Sequence, residues 1–219
     1  MKIAEIFKSI QGEGIYAGVE QVFVRLFGCN LKCSFCDTPL ERYDEKSVSQ
    51  IVSEVRQFGK VHSISLTGGE PLMQIEDLIE LSKSLKNEGY LLYLETNGIL
   101  YENLTKVIEY IDIIAMDFKL PTTTDQQSLW EDHREFLKIA KGKDVFVKVV
   151  IGKLTQIGDV LEALKIIKDI KSDLTLVLQP ENPFEHALGG KVAFFKMLAK
   201  LHGMNIKVIP QKHKQLGIR

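Results

Sequence analysis

At 219 residues the chain is long enough to bury one sizeable core and short of what two average domains need. Hydrophobic residues make up 45% and charged residues 26%, and a formal net charge of -1 argues against a bulk electrostatic grip on nucleic acid or an anionic membrane. No segment approaches the roughly 20 apolar residues that span a bilayer, and residues 1–18 lack the apolar run of a signal peptide, so a reducing cytoplasm is the expected location.

In chain order, strands are expected at residues 22–27, 63–66, 91–94, 111–116, 145–151, 174–178 and 206–209. Each is short, rich in Val, Ile and Leu, and nearly continuously apolar, as strands covered on both faces should be. Amphipathic stretches lie between them. Residues 47–58 place Val48, Ile51, Val52 and Val55 on one stripe. Residues 75–85 do so with Ile75, Leu78, Ile79, Leu81 and Leu85, and residues 160–170 with Leu161, Leu164, Ile167 and Ile170. Strand–helix alternation implies parallel pairing with right-handed crossovers, whereas a complete eightfold barrel usually takes about 250 residues. The expected fold class is therefore α/β: a shortened or open (β/α) barrel with a mostly parallel sheet, in one domain over residues 1–219.

In such sheets chemistry gathers at the carboxyl ends of the strands. There the sequence places Gly28-Cys29-Asn30 and its continuation to Thr38, Thr67-Gly68-Gly69-Glu70-Pro71, Glu95-Thr96-Asn97-Gly98, Asp117-Phe118-Lys119 and Gln179-Pro180-Glu181-Asn182. All three cysteines, Cys29, Cys33 and Cys36, fall in the first of these as C-x3-C-x2-C. Three small buried hydrophobes, a zinc knuckle, or a disulfide with a spare thiol are the plainer readings. Structural zinc wants four ligands, and His62, the nearest histidine, precedes the next strand. Iron–sulfur clusters normally take four thiolates, so three leave one iron open to substrate or cofactor, and the spacing favours that reading.

The C-x3-C-x2-C spacing, with Phe35 before the last cysteine and Gly68-Gly69-Glu70 ending the next strand, resembles the radical S-adenosylmethionine superfamily. In that superfamily a 4Fe-4S cluster binds S-adenosylmethionine at its open iron, and reductive cleavage gives a radical that abstracts hydrogen. A second set is similar to one branch, the 7-carboxy-7-deazaguanine synthase family. It comprises residues 9–14 (Ser-Ile-Gln-Gly-Glu-Gly), Arg25, Cys36-Asp37-Thr38, Thr67 to Pro71, Glu95 to Gly98, and residues 211–214 (Gln-Lys-His-Lys). These span residues 9–214, nearly the whole chain. The family is a magnesium-dependent lyase of deazapurine (queuosine-type) biosynthesis. It converts 6-carboxy-5,6,7,8-tetrahydropterin to 7-carboxy-7-deazaguanine with loss of ammonia and regenerates its S-adenosylmethionine.

The resemblance implies roles for particular residues. Ile10, Gln11 and Gly12 would read the pterin edge, Arg25 would fork onto the substrate carboxylate, and Thr67 would add a hydroxyl contact. Ser34, Phe35, Asp37, Gly69, Asp117, Phe118, Lys119 and Gln179 would line the S-adenosylmethionine site, with Gly68-Gly69 letting the backbone approach the methionine moiety. Thr38 would offer oxygen to Mg2+. The C-terminal carboxylate of Arg219 would reach substrate if the tail folds back. A flavodoxin- or ferredoxin-type reductant and a homodimer are the implied partners. A glycyl-radical activating enzyme and a non-catalytic metal-binding module are the rival readings.

Overall fold

The protein is described by a computed structural model covering residues 1–38 and 41–218; Pro39, Leu40 and Arg219, with the expected role of the Arg219 carboxylate, lie outside it. The chain opens with strands β1 (Lys2–Ile10), β2 (Glu20–Leu26) and the short β3 (Asp44–Glu45). Helix α1 (Val48–Gln57) follows, then β4 (Ser63–Gly68), α2 (Ile75–Asn87), β5 (Leu92–Thr96) and α3 (Tyr101–Val107). Next come β6 (Ile113–Asp117), α4 (Pro121–Thr124), α5 (Trp130–Ala140), β7 (Asp144–Ile151), α6 (Ile157–Ile170) and β8 (Thr175–Pro180). The chain ends in α7 (Gly189–Leu201), β9 (Asn205–Val208) and α8 (Lys212–Leu216).

The nine strands among the described residues form one sheet in the order β3-β1-β2-β4-β5-β6-β7-β8-β9. From β2 to β9 every pairing is parallel, and β1 is antiparallel to both β2 and β3. Strands β3 and β9 are the two edges, so the expected open form is the one observed. Local chemistry starts α1: the Ser47 hydroxyl accepts from Gln50 N–H while the Gln50 side chain accepts from Ser47 N–H, a capping box.

The expectation of strands apolar on both faces needs correcting. One face carries Val22, Val24 and Leu26, Ile64 and Leu66, Leu92 and Leu94, Ile114 and Met116, and Leu176 and Leu178. These pack with the buried stripes of α1, α2, α3, α5, α6 and α7 into the main core. The other face alternates with it and is largely polar: Gln21 and Arg25 on β2, Ser63, Ser65 and Thr67 on β4, Glu95 on β5, Asp117 on β6, Lys148 on β7 and Gln179 on β8. Tyr93, Ile113, Phe146 and Val177 close the amino-terminal end of that face with a small apolar plug. Side chains two residues apart share a face, so this alternation turns most polar residues of the parallel strands toward one side, Glu20 and Thr96 at strand ends being exceptions. Strand β1 and helices α3, α5 and α7 were not expected from sequence. β1 adds Glu5 and Phe7 to the polar face and delivers the 11–18 turn, whose Ile15 and Tyr16 pack on that plug.

Candidate active site

A cavity of about 860 Å³ opens on the polar face, at the carboxyl ends of the parallel strands. Cys29, Cys33 and Phe35 border one end, Ile10, Gln11, Arg25 and Thr67 the other, and the C-terminal Gln211, His213 and Lys214 also border it.

The cysteine end is built by close backbone approach. The loop after β2 lies directly on the end of β4: Gly69 N–H donates to Leu26 O (3.2 Å) and Glu70 N–H to Gly28 O (2.8 Å). A Cβ on Gly68, which has φ +131°, would sit 2.0 Å from Leu26 O, and one on Gly69 would sit 2.0 Å from Gly28 O. The tandem glycines are thus required by the cysteine loop itself, a reason distinct from the expected approach of a methionine moiety. Glu70 is fully buried and pins this corner, its carboxylate accepting from Leu72 N–H, Thr96 Oγ1 and Asn97 N–H. Burial pushes its carboxyl up to about 7, against the pull of those bonds. Asn97 in turn donates from Nδ2 to Asn30 Oδ1 (2.8 Å), tying β5 to the cysteine loop.

Cys29 and Cys36 are exposed and Cys33 is half-buried. The thiols of Cys29 and Cys33 are pushed up, chiefly by loss of water around the sulfur. Among the described residues, no three His, Cys, Asp or Glu side chains stand close enough to hold one metal ion. A tetrahedral ion with sulfurs at about 2.3 Å would need them about 3.8 Å apart. A 4Fe-4S cluster puts each cysteine on a different iron and spreads the sulfurs wider, and three thiols in one loop are the donor set such a cluster takes when one iron is left open. Beside it, Asn97 Oδ1, Asp117 Oδ1 and Gln179 Oε1 are buried acceptors without a donor, all on residues that border the cavity. Acceptors of this kind suit a cationic, donor-rich ligand such as S-adenosylmethionine.

The opposite end is a hydrogen-bonded network. Gln11 is buried and donates from Nε2 to both Gln21 Oε1 (2.9 Å) and Glu95 Oε1 (2.8 Å), while its Oε1 accepts from Glu13 N–H (3.0 Å). Glu95 also accepts from Ser65 Oγ (3.0 Å) and Thr67 Oγ1 (3.0 Å). Both N–H donors of Gln11 are therefore taken, and its side chain acts through Glu95. Arg25 pairs through Nε with Glu5 (2.7 Å) and lies over the Phe7 ring at 5.6 Å. A Cβ on Gly12 would meet His213 Nδ1 at 2.2 Å, so the C-terminal segment packs on that glycine.

Between the two ends runs an alternating line of charge. Glu13 takes Gln211 Nε2 on Oε1 (2.6 Å) and the Lys148 ammonium on Oε2. Lys148 is also 3.4 Å from Asp117 Oδ2, which Lys119 contacts at 2.7 Å, and Lys119 lies over the Phe35 ring at 5.5 Å. Burial alone would raise the Glu13 carboxyl; Lys148, with the Gln211 amide, outweighs it and holds the group at about 2. Burial would lower both ammoniums, and Asp117, with Glu13 for Lys148, reverses that, so both are raised.

The structure brings most of the sequence-predicted residues to this cavity: Ile10, Gln11, Gly12, Arg25, Thr67, Phe35, Asp37, Gly69, Asp117, Lys119, Gln179, the three cysteines and Thr38. Two have side chains directed elsewhere. Phe118 follows Asp117 on the strand and so turns to the helix face, where it stacks on the buried His133 ring (centroids 4.5 Å). Ser34 faces away from the cavity, donating from its hydroxyl to Thr123 O (3.1 Å) and from its backbone N–H to Thr124 O (3.1 Å). Lys148, His133 and the ligand-facing roles of Glu13, Glu95 and Asn97 were not singled out from sequence. Alternation on β7 and β5 carries the signal for Lys148 and Glu95.

The pattern of the radical SAM superfamily matches residues 24–187. A 7-carboxy-7-deazaguanine synthase from Geobacter sulfurreducens is 36% identical over 99% of this chain and 97% of its own length. The same-named protein of Methanothermobacter thermautotrophicus is 34% identical over the same shares. Among solved structures, the crystal structure of QueE from Escherichia coli superposes with a TM-score of 0.65, covering 94% of this chain and 92% of that one at 20% identity, a likeness of fold. The cysteine loop, the open parallel sheet and full-length similarity agree: the chain belongs to the 7-carboxy-7-deazaguanine synthase family of the radical SAM superfamily.

Proposed function

We propose that this cavity converts 6-carboxy-5,6,7,8-tetrahydropterin to 7-carboxy-7-deazaguanine with loss of ammonia. The observation that carries it is the two-ended cavity, with the three-cysteine loop and donor-seeking acceptors at one end and a carboxylate-and-guanidinium kit at the other. Bound there, a 4Fe-4S cluster with S-adenosylmethionine supplies a hydrogen-abstracting radical.

The chain's own residues do the rest. Cys29, Cys33 and Cys36 hold the cluster. Phe35, Asp37, Gly69, Asp117, Lys119 and Gln179 surround the cofactor, while Ser34 and Phe118 brace its walls from behind. Ile10 and the Gln11–Gly12 backbone flank the substrate. Glu95, with Gln11, Ser65 and Thr67 already on three of its roughly four acceptor sites, keeps one for an N–H of the pterin edge. Arg25, with Nε committed to Glu5, keeps its terminal nitrogens as the fork for the substrate carboxylate. Thr38, half-buried at the cavity rim, gives Mg2+ an oxygen beside that carboxylate.

A flavodoxin- or ferredoxin-type protein is the reductant we assign to the cluster, and the exposure of Cys29 and Cys36 supports that reading. The apolar face of Phe194, Met197 and Leu201 on α7 is offered to a second copy of the chain. No helix among the described residues is long and apolar enough to cross a membrane, and we place the enzyme in the cytoplasm.

Anaerobic calorimetry on cluster-loaded protein tests the site. The carboxylated pterin binds the S-adenosylmethionine complex at one per chain, and the pterin lacking its carboxylate binds at least tenfold more weakly, the loss expected of one charge-assisted bond worth about 1.5–3 kcal/mol. Equal affinity for both pterins would overturn the assignment of this end.

A further inference from the structure

We propose that Lys148 is a positioning residue that ties the two ends of the site together, one ammonium shared by Glu13 on the substrate side and Asp117 on the S-adenosylmethionine side. The inference rests on the division of the cavity proposed above.

The geometry is set by the sheet. Lys148 is the register partner of Asp117 on the adjacent parallel strand, so the two side chains leave the same face side by side. Their contact is 3.4 Å, and the same ammonium is ion-paired to Glu13, which comes from the 11–18 turn packed over the Phe146 end of the same face. The line continues outward at both ends, to Gln211 from Glu13 and to Lys119 and the Phe35 ring from Asp117. A contact at the C-terminal segment is thus joined to one at the cysteine loop through a single cation.

Two carboxylates and two ammoniums balance in this line. Glu95 on β5, His213 on the C-terminal segment and the Tyr93 phenol on β5 complete the titratable groups that act on Glu13 and Lys148. Without Lys148 the line carries one uncompensated negative charge. Asp117 keeps Lys119, whereas Glu13 is left with the Gln211 amide and with His213. Burial, the largest influence on the Glu13 carboxyl, would then act with little opposition and favour its protonated form.

A purely structural ion pair behaves differently. Replacing a buried charge with an apolar side chain of like volume is often tolerated when the partner charges are relieved, and buried pairs are weak evidence of stability. Here the partner charges stay in place when Lys148 alone is removed, and the site needs both carboxylates ionised and held against the cavity wall.

The test uses Lys148→Met, Lys148→Arg and the double variant Lys148→Met/Glu13→Gln, each loaded with cluster and checked for a cooperative melt. Lys148→Gln serves in place of the methionine variant if that one folds poorly. Affinities for S-adenosylmethionine and for 6-carboxytetrahydropterin are measured anaerobically by calorimetry from pH 6 to pH 9. Lys148→Met is expected to weaken both ligands at pH 7 by tenfold or more. Its pterin affinity should recover as pH rises, because Glu13 regains its charge, and that pH dependence should vanish in the double variant. Wild type and Lys148→Arg should show no such dependence.

Weakening of one ligand alone, affinities within twofold of wild type, or a pH dependence that survives in the double variant would each overturn the proposal. Failure of the wild type to bind the pterin would instead overturn the substrate assignment.

Discussion

Replacing Arg25 with alanine separates binding of the substrate carboxylate from everything the cysteine end does. In the free protein Arg25 makes a partly exposed pair with Glu5 and a cation–π contact with Phe7 at 5.6 Å. A pair of that exposure is worth about 0–1 kcal/mol and the ring contact about 0.5–1 kcal/mol, so the fold should lose no more than about 2 kcal/mol. A charge-assisted contact to a substrate carboxylate is worth about 1.5–3 kcal/mol, so substrate conversion should fall roughly ten- to 150-fold. Arg25→Lys should recover little, since a point charge cannot reproduce the fork once Glu5 claims it. Glu5→Gln, which loosens the guanidinium without removing it, should cost only a few-fold, consistent with the small worth of such a pair. The assay is anaerobic turnover read as the ratio of deazapurine product to 5′-deoxyadenosine, with iron content and thermal melts alongside. A collapse of that ratio at unchanged iron content is the expected result. An unchanged ratio in Arg25→Ala would refute the reasoning and return Arg25 to a role in packing β1 on β2.

Gly69→Ala puts a methyl 2.0 Å from the Gly28 carbonyl oxygen and 2.9 Å from Cys29 Cβ, a backbone clash costing about 1–3 kcal/mol, so iron retained per chain should drop. Gly142→Ala, with open space at its Cβ, should load iron like the wild type, and equal loading in both variants would contradict the close-approach argument. Thr38→Ala should raise the Mg2+ concentration for half-maximal turnover and Thr38→Ser should raise it less, because the hydroxyl survives; identical metal dependence in all three proteins would leave Thr38 a turn residue. Burial holds His133 at about 4, below its ordinary 6.5, so the unfolded chain binds more protons between those values. Stability from His133 is fully present above pH 6.5 and is lost as pH falls toward 4, by about 3 kcal/mol in total. Urea unfolding should therefore show the gap between wild type and His133→Gln shrinking across that window, and a constant gap would refute it.

The parallel strands, the three helices expected from sequence and the cysteine loop were legible because each rests on local signals: short β-branched runs, a 3.6-residue apolar stripe, and three thiols within eight residues. β1 was not, since Lys2, Lys8 and Ser9 dilute its pattern and its partner lies in a later segment. The second face of the sheet was misread for an instructive reason. Ser63, Ser65 and Thr67 alternate with Ile64 and Leu66, but in a parallel sheet a polar alternate face points to water only if no site is built on it. The individual residues at strand ends were found, but what they do was harder to see. Gln11 looks in sequence like a group offered to ligands, and the fold commits it to Glu95 and Gln21, while Glu70 steadies its edge of the sheet through Thr96 and Asn97. Phe118 and Asp117 are adjacent letters facing opposite ways. Lys148 sits in a valine-rich strand with no motif around it, and its value comes from Asp117 on the adjacent strand and from Glu13, 135 positions away.

The central claim is that one cavity performs a pterin ring contraction at a three-cysteine cluster. Reduced, cluster-loaded wild-type protein incubated with S-adenosylmethionine, Mg2+ and 6-carboxytetrahydropterin, with mass spectrometry of the products, tests it most directly. Equal amounts of 7-carboxy-7-deazaguanine and ammonia, exceeding the S-adenosylmethionine consumed, are the expected result. Accumulation of 5′-deoxyadenosine with the pterin returned unchanged would contradict it.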